Sequence, residues 1–152
     1  MTDDRVLVEE FKKLIGKETE PEVWEAERGH IKRLAEAIGD PNPLWRDLAY
    51  AKKTRYKNII GTPLYLIDEG LVTLVDRLVG MAPDKANING GTEIEYFRPI
   101  EFGDTITTAA KLADVQEKTG KSGYLIILTV EVTFTDQRGE LVAKLRNTFI
   151  RR

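Results

Sequence analysis

The chain has 152 residues, of which 41% are hydrophobic and 32% are charged, and its net charge is −2. These values fit one globular domain and argue against a nucleic-acid surface, which would carry a strong positive charge. The sequence contains no cysteine, which excludes disulfides and thiolate chemistry, and no run of about 20 apolar residues that would span a bilayer. The polar residues 1–5 lack the apolar core of a signal peptide, so we expect a cytoplasmic protein without a membrane partner.

The first part of the chain is predicted to be mostly helical. Residues 5–16 have the pattern of an amphipathic helix, and residues 22–27 alternate as in a short strand. A second helix is predicted over residues 28–38, with apolar side chains at i, i+3, i+4 and i+7. Gly39 follows it at a position that favours a positive φ, and the prolines at 41 and 43 prevent the helix from continuing.

The most apolar helix is predicted to follow Gly61. Residues 47–56 before it are polar and predict a short helix. Thr62 is typical of an N-cap, and Pro63 suits the first position of a helix. From there to Val79, apolar side chains surround most of the helix, so we expect it to be long and buried.

The second part of the chain is predicted to be an antiparallel sheet. Four segments alternate apolar and polar side chains or are rich in strand-forming residues: residues 93–100, 106–115, 124–134 and 141–150. The segments 118–123 and 136–139 are typical of hairpin connections, so the last three strands should be neighbours. One apolar helix followed by such a sheet predicts an α+β architecture in which the sheet curves around the helix.

Two segments resemble signatures of a known family. Gly39 to Trp45 reads Gly-Asp-Pro-Asn-Pro-Leu-Trp, and Arg98 to Ile106 reads Arg-Pro-Ile-Glu-Phe-Gly-Asp-Thr-Ile. Residues 22–151 resemble the MaoC-like hydratases and dehydratases, in particular their N-terminal FAS1-like dehydratase domain. The resemblance implies the hot-dog fold, a long central apolar helix wrapped by a curved antiparallel sheet. It predicts one hot-dog domain over residues 1–152, with residues 1–21 as a helical extension.

The resemblance also implies candidate site residues. Hydration of an enoyl thioester needs a base, an acid and donors to the thioester oxygen. Asp40 matches the family's catalytic aspartate, and in an apolar tunnel its pKa would rise; the alternative is a turn aspartate that caps the next segment. Asn42 matches the family's asparagine, although an Asx turn explains it equally. Gly61 and Thr62 are the oxyanion candidates, because a helix start presents free N–H groups.

Trp45 departs from the signature, which has histidine at this position. An indole donates one hydrogen bond and does not exchange protons near neutral pH, so it cannot replace that histidine. Trp45 is therefore expected to line an acyl channel or simply to pack. His30, the only histidine of the chain, lies fifteen residues earlier and is expected at the surface or at a helix terminus. A single histidine without cysteine also argues against a catalytic zinc site, and we expect no metal.

Two further groups leave alternatives open. Asp68 and Glu69 fall in the predicted central helix, where some hot-dog thioesterases are similar in carrying an acidic residue; a solvent-facing helix stripe explains them as well. A basic cluster precedes that helix and would suit the phosphates of coenzyme A or an acidic carrier protein, or simply face water. It consists of Lys52, Lys53, Arg55 and Lys57.

The resemblance predicts three functions in order of preference. The first is an acyl-thioester hydratase/dehydratase, or its substrate-binding subunit, working as a homodimer or with a second hot-dog chain. The second is a non-catalytic dimer that binds acyl thioesters, and the third is a thioesterase that uses Glu69 or Asp68. None of these needs a cofactor, because coenzyme A or the acyl carrier enters as part of the substrate.

Overall fold

The computed structural model describes residues 3–67, 69–121 and 123–152. Within these ranges the chain forms short helices in its first half and long strands in its second half. The helices are α1 (Asp4–Lys12), α2 (Arg28–Ala37), α3 (Leu48–Ala51) and α4 (Val72–Gly80), with a 3₁₀ helix at Pro43–Trp45. The strands are β1 (Glu22–Glu25), β2 (Asn87–Tyr96), β3 (Thr105–Gly120), β4 (Gly123–Thr135) and β5 (Leu141–Arg151).

The strands form one antiparallel sheet in the order β1-β3-β4-β5-β2. The hairpin between β3 and β4 closes where Gly120 faces Gly123, and β4 continues into β5 through a short turn at residues 136–139. The prediction that the last three strands are antiparallel neighbours is therefore confirmed. The strand predicted at residues 93–100 exists, but it begins and ends earlier in the chain. It ends at Tyr96, because Pro99 cannot donate to the ladder.

One face of the sheet carries the core. In β4 the even-numbered side chains from Ile126 to Phe134 are buried, and the odd-numbered ones are only partly covered. Leu7, Val8 and Phe11 of α1 and Leu74 and Leu78 of α4 belong to the same buried cluster as these strand residues. The alternation that predicted half-buried strands thus places the helices on one side of the sheet.

The prediction of a long helix from Pro63 to Val79 is wrong in its first half. Residues 63–67 form successive turns, and the helix begins only at Val72, after Leu71 as an N-cap without a side-chain hydrogen bond. Gly70 has a φ of 72°, which a helix does not allow. A Cβ at Gly70 would lie 2.1 Å from Thr108 Cγ2, so the chain bends there to approach the sheet.

The helix α4 is also less enclosed than predicted. Leu74 and Leu78 are buried, whereas Val72 is 62% exposed. The helix predicted over residues 47–56 is likewise shorter, since only Leu48–Ala51 is helical, with Asp47 accepting from the backbone N–H of Tyr50 as its cap. No helix in the described residues is long and apolar enough to cross a membrane.

Candidate functional site

The turn after α2 begins as the sequence predicts. Gly39 has a φ of 70°, and its N–H donates to the carbonyl oxygen of Glu36 at 3.1 Å. The N–H of Asp40 donates to the carbonyl oxygen of Ala35 at 2.9 Å. These bonds satisfy carbonyl groups at the end of α2 and turn the chain away from it.

The side chains of Asp40 and Asn42 are used inside this turn. Asp40 Oδ1 accepts from the backbone N–H of Asn42 at 3.0 Å, and Asn42 Oδ1 accepts from the backbone N–H of Leu44 at 3.0 Å. Arg46 Nη2 donates to the carbonyl oxygen of Asp40 at 2.7 Å. Both side chains therefore make the Asx turns that were the local alternative to a substrate contact.

The expected rise in the pKa of Asp40 is wrong. The backbone N–H of Asn42 and then the indole of Trp45 lower the pKa of this carboxyl; burial opposes them, and the charge of Arg46 lowers the pKa further. A partly exposed carboxylate surrounded by donors stays ionised at neutral pH and is a weaker base than one in an apolar tunnel. The role of Asp40 as a base remains a prediction.

Trp45 ends the 3₁₀ helix that Pro43 begins, and its side chain is only 8% exposed. The indole Nε1 is buried and makes no hydrogen bond to any residue that the structure describes. The carboxylate of Asp40 lies near enough for the indole to affect its pKa, but the two groups do not reach hydrogen-bond geometry. The turn thus holds a buried indole N–H that donates to none of the described residues.

Trp45 lies in a cleft of about 340 Å³ together with Gly61 and Thr62. Three of the five predicted site residues are therefore brought together, and Asp40 and Asn42 do not line the cleft. We call this the Trp45 cleft. Its lining consists of Trp45, Tyr56, Ile60, Gly61, Thr62, Pro63, Tyr96, Phe97, Arg98 and Pro99.

Gly61 cannot serve as the oxyanion donor that the sequence predicted. Its N–H donates to the carbonyl oxygen of Ile100 at 2.8 Å, and the helix whose free N–H groups were expected here begins only at Val72. Gly61 instead makes room, since a Cβ at this position would lie 2.8 Å from the ring of Tyr65. Thr62 is 1% exposed, and its hydroxyl has no hydrogen-bond partner among the described residues, so it does not act as the predicted N-cap.

The opposite wall of the cleft is the end of β2 and the turn that follows it. Tyr96 donates from its hydroxyl to the carbonyl oxygen of Pro63 at 3.0 Å, which joins the two walls. Burial raises the pKa of Tyr96 to about 12, so the phenol stays protonated. Arg98 Nη1 donates to Asp104 Oδ2 at 2.7 Å and Nη2 to Asp136 Oδ2 at 2.9 Å, which holds this wall in place.

One residue of the basic cluster contacts a residue that lines the Trp45 cleft. Tyr56, which lines the cleft, accepts a hydrogen bond from Arg55 Nη2 at 2.7 Å, and the guanidinium lies 4.8 Å from the centre of the ring. Lys52, Lys53 and Lys57 are exposed. None of these four cations forms an ion pair with a carboxylate in the described part of the chain, so their charge is available to an anionic ligand.

His30 and Glu69 lie in a different cleft, of about 350 Å³, which also includes Trp24 and Arg33. His30 Nδ1 is 3.3 Å from the hydroxyl of Tyr65, whose pKa is raised by burial and then by the nearby charge of Glu69. Glu69 belongs to the turn before α4 and not to a helix. Asp68, the other thioesterase candidate, lies outside the described residues.

Comparison with known proteins identifies the family. A family model described as the FAS1-like dehydratase domain region matches residues 13–145. A relative from Thermobifida fusca, named UPF0336 protein, is 31% identical over 125 residues, which is 80% of each chain. The chain belongs to the FAS1-like dehydratase family. A second relative, named UPF0336 protein Franean1_6066, from a Parafrankia strain, is 32% identical over 77% of each chain.

Solved structures confirm the hot-dog fold for this FAS1-like dehydratase domain. The C-terminally truncated HadBC complex of Mycobacterium tuberculosis, a 3R-hydroxyacyl-ACP dehydratase, superposes with a TM-score of 0.77 at 17% identity, covering 90% of this chain and 96% of that one. The ChsH1-ChsH2 complex of the same organism superposes with a TM-score of 0.76 at 19% identity, covering 96% and 89%. At these identities the likeness establishes the fold.

The sequence did not reveal the aromatic wall of the FAS1-like dehydratase cleft. Tyr56, Tyr96 and Phe97 line the cleft, but none belongs to a quoted signature. The available signal was position, because Tyr96 and Phe97 directly precede the Arg98-Pro99 pair. No cluster of three histidine, aspartate or glutamate side chains suited to a metal occurs among the described residues.

Proposed function

We propose that this FAS1-like dehydratase domain binds an acyl thioester in the Trp45 cleft, as the substrate-binding subunit of a hydratase/dehydratase. A second hot-dog chain supplies the groups that transfer protons. The observation that carries the proposal is the composition of the cleft. It gathers Trp45, Gly61 and Thr62 between aromatic walls, and the described residues that line it include no histidine, aspartate or glutamate.

The shape and chemistry of the cleft support a thioester ligand. Aromatic and apolar side chains with a few polar groups are typical of sites that hold an apolar chain and fix one polar end. Arg55, an exposed cation, donates to Tyr56 in the lining of the cleft. The exposed Lys52, Lys53 and Lys57 are its neighbours in the sequence. These charges suit the phosphates of coenzyme A or of a phosphopantetheine arm at the mouth, while the acyl group enters the cleft.

The missing proton-transfer group supports a two-chain enzyme. Hydration adds hydroxide to the β-carbon and a proton to the α-carbon, so one group must accept a proton and another must donate one. Trp45 cannot do either, and His30 faces the other cleft. Asp40 is ionised and is held by its own turn, so in this proposal it contributes at most a weak base.

A partner chain also suits the surface and the structural relatives. In the single chain, β2 pairs with β5 on one side only and leaves its other edge open. An open edge of ten residues readily pairs with another chain. The structural relatives include two complexes of paired chains, HadBC and ChsH1-ChsH2. The partner proposed here is a hot-dog chain with an intact aspartate–histidine signature.

The proposal is tested by separating binding from chemistry. We expect calorimetry to show that the purified chain binds crotonyl-CoA, and the hydration assay to show little activity until a candidate partner chain is added. The variant Trp45→His asks whether restoring the signature residue gives the lone chain hydration activity. Failure to bind any acyl-CoA at millimolar concentration would contradict the proposal.

The other outcomes identify the alternatives. Robust hydration by the lone chain that survives Asp40→Ala would remove Asp40 as the base. Binding without activity in the presence of every candidate partner would favour a non-catalytic thioester-binding dimer. Release of free coenzyme A thiol from a saturated acyl-CoA would favour a thioesterase, because a hydratase leaves the thioester intact.

A further inference from the structure

Residues that line the Trp45 cleft carry buried polar atoms that no described residue satisfies. Trp45 Nε1, Thr62 Oγ1 and Arg98 Nε are all buried, and none has a hydrogen-bond partner among the described residues. All three belong to residues that line the cleft. Leaving such a buried group unpaired is unfavourable, so their gathering around one cleft calls for a ligand with matching atoms.

The other tryptophan shows that this fold does satisfy an indole elsewhere. Trp24 Nε1 donates to Thr108 Oγ1 at 2.7 Å. Trp24 is only partly buried, whereas Trp45 is 8% exposed and lacks such a partner. The unpaired donor therefore occurs at the more buried of the two indoles, where water compensates least.

The groups around the Trp45 cleft are held by their own bonds. Asp40 Oδ1 accepts from the N–H of Asn42, and the Asp40 carboxylate lies close to the indole of Trp45 without forming a hydrogen bond to it. The two terminal nitrogens of Arg98 donate to Asp104, Asp136 and the carbonyl oxygen of Pro99. These bonds hold the two turns that border the cleft, so the indole of Trp45 has a defined position before any ligand arrives.

We propose that Trp45 Nε1 and Thr62 Oγ1 together donate hydrogen bonds to the carbonyl oxygen of a bound thioester, which makes Trp45 a specificity-determining residue for that carbonyl. This inference rests on the function proposed above and adds the atoms that recognise the ligand. The indole offers one donor and no acceptor, and the hydroxyl can donate as well. The pair thus selects an acceptor, and its donors do not change protonation over the physiological pH range.

The test compares two ligands that differ in that oxygen. Butyryl-CoA has the thioester carbonyl, and S-butyl-CoA, the thioether, has the same chain without it. We expect Trp45→Phe and Thr62→Val each to weaken butyryl-CoA binding about 5–10-fold in calorimetry, the value of one hydrogen bond of about 1–1.4 kcal/mol. Binding of S-butyl-CoA should change by less than about 2-fold, because the lost donors had no oxygen to meet.

Trp24→Phe is the matched control, since it removes an indole donor that is already satisfied outside the cleft. It should leave the affinity for both ligands unchanged in protein that is folded by circular dichroism. If Trp45→Phe does not fold, Thr62→Val carries the test alone, because valine has nearly the shape of threonine.

Each remaining outcome counts against a particular statement. Equal losses for the two ligands would mean that Trp45 acts by packing or through Asp40, and unchanged affinity would mean that water satisfies these donors; both would overturn the inference and leave the proposed function intact. If the wild-type chain binds neither ligand, the proposed function is wrong and the inference falls with it.

Discussion

The turn after α2 and the turn after β2 both border the Trp45 cleft, but they are held in different ways. In residues 39–46, the bonds are local: Asp40 and Asn42 accept from backbone N–H groups two residues away. In the turn after β2, Arg98 pairs with Asp104 and with Asp136, which lies 38 residues further along the chain. One turn is shaped by its own sequence, and the other depends on the assembled sheet.

The difference shows in the burial of the carboxylates. The side chain of Asp136 is 0% exposed and accepts from Arg98, from Arg138 and from the backbone N–H groups of Arg138 and Glu140. Asp40 is partly exposed and accepts from one backbone N–H. Removing the Asp136 carboxylate that holds the second turn should therefore affect the whole fold, while changes in the first turn should remain local.

The largest effect is expected for Asp136→Asn. The amide keeps the volume of the carboxylate but loses its charge, and it leaves Arg98 and Arg138 with one acidic partner fewer. We expect a larger fall in melting temperature and urea midpoint than for any of the substitutions at Glu140, Asn42 or Asp40. The control is Glu140→Gln, which removes an ion pair between side chains that are 60% and 65% exposed.

Such a surface pair contributes only about 0–1 kcal/mol, so the Glu140→Gln midpoint should stay close to that of the wild type. A fall for Asp136→Asn no larger than that of Glu140→Gln would show that the network around Arg98 does not hold the turn after β2. The two turns would then differ in appearance only.

The second prediction concerns acid. Burial alone would raise the pKa of Asp136, but the hydrogen bonds from Arg98 and Arg138 outweigh it and hold the pKa well below its usual range. In the unfolded chain the pKa of this carboxyl is about 3.9. As the pH falls, the unfolded state therefore takes up the proton first. The contribution of Asp136 to stability is fully present above about pH 4 and is lost as the pH drops below that value.

Urea unfolding measured at a series of pH values from 6 to about 2.5 tests this. We expect the midpoint to decrease through the acidic range and the Asp136→Asn variant to show a flatter decrease. Asp40 and Glu117 also have lowered pKa values, so some acid dependence should remain in the variant. An identical pH dependence in both proteins would contradict the assignment to Asp136.

The same contrast explains what the sequence could predict. The first turn was predicted closely, because Gly39, Pro43 and the two Asx residues act on their immediate neighbours. The pairing of Arg98 with Asp136 was not predicted, because it depends on β3, β4 and their hairpin coming together first. The strands were also predicted well, since alternation reports which face is buried.

The errors have a common physical cause. The helix from Pro63 was predicted from apolar residues around its whole circumference. Tyr65 and Leu66 instead lie buried in turns, and Gly70 approaches the sheet. Tertiary packing overrides helix propensity there. The pKa of Asp40 was predicted from a tunnel, whereas the backbone N–H of Asn42, the nearby indole of Trp45 and the charge of Arg46 lower it. Both errors come from assuming an environment instead of local bonds.

The third prediction has a moderate effect and tests the local turn. Asn42→Ala removes the acceptor for the N–H of Leu44 at the start of the 3₁₀ helix. The loss of such a cap costs about 1 kcal/mol, which for a chain of this length lowers the melting temperature by about 2–4 °C. Asn42→Ser keeps a side-chain acceptor and should restore most of the stability.

If Asn42→Ala also weakens butyryl-CoA binding, the turn positions Trp45 as well as stabilising the fold. If both variants lose stability equally, the hydrogen bond from the N–H of Leu44 does not stabilise the first turn. The statement that local side-chain bonds hold this turn would then be wrong.

The smallest effect is expected for Asp40→Asn, and it separates the shape of the first turn from its charge. An asparagine Oδ1 can accept from the N–H of residue 42 in the same Asx geometry, so the melting temperature should not change measurably. Binding of butyryl-CoA should not change either, because Asp40 does not line the Trp45 cleft. Hydration by the complex with the partner chain then reports only the loss of the carboxylate as a base. A drop in activity without a drop in stability or binding would give Asp40 a chemical role, and unchanged activity would leave it as a turn residue in a chain whose partner does the chemistry.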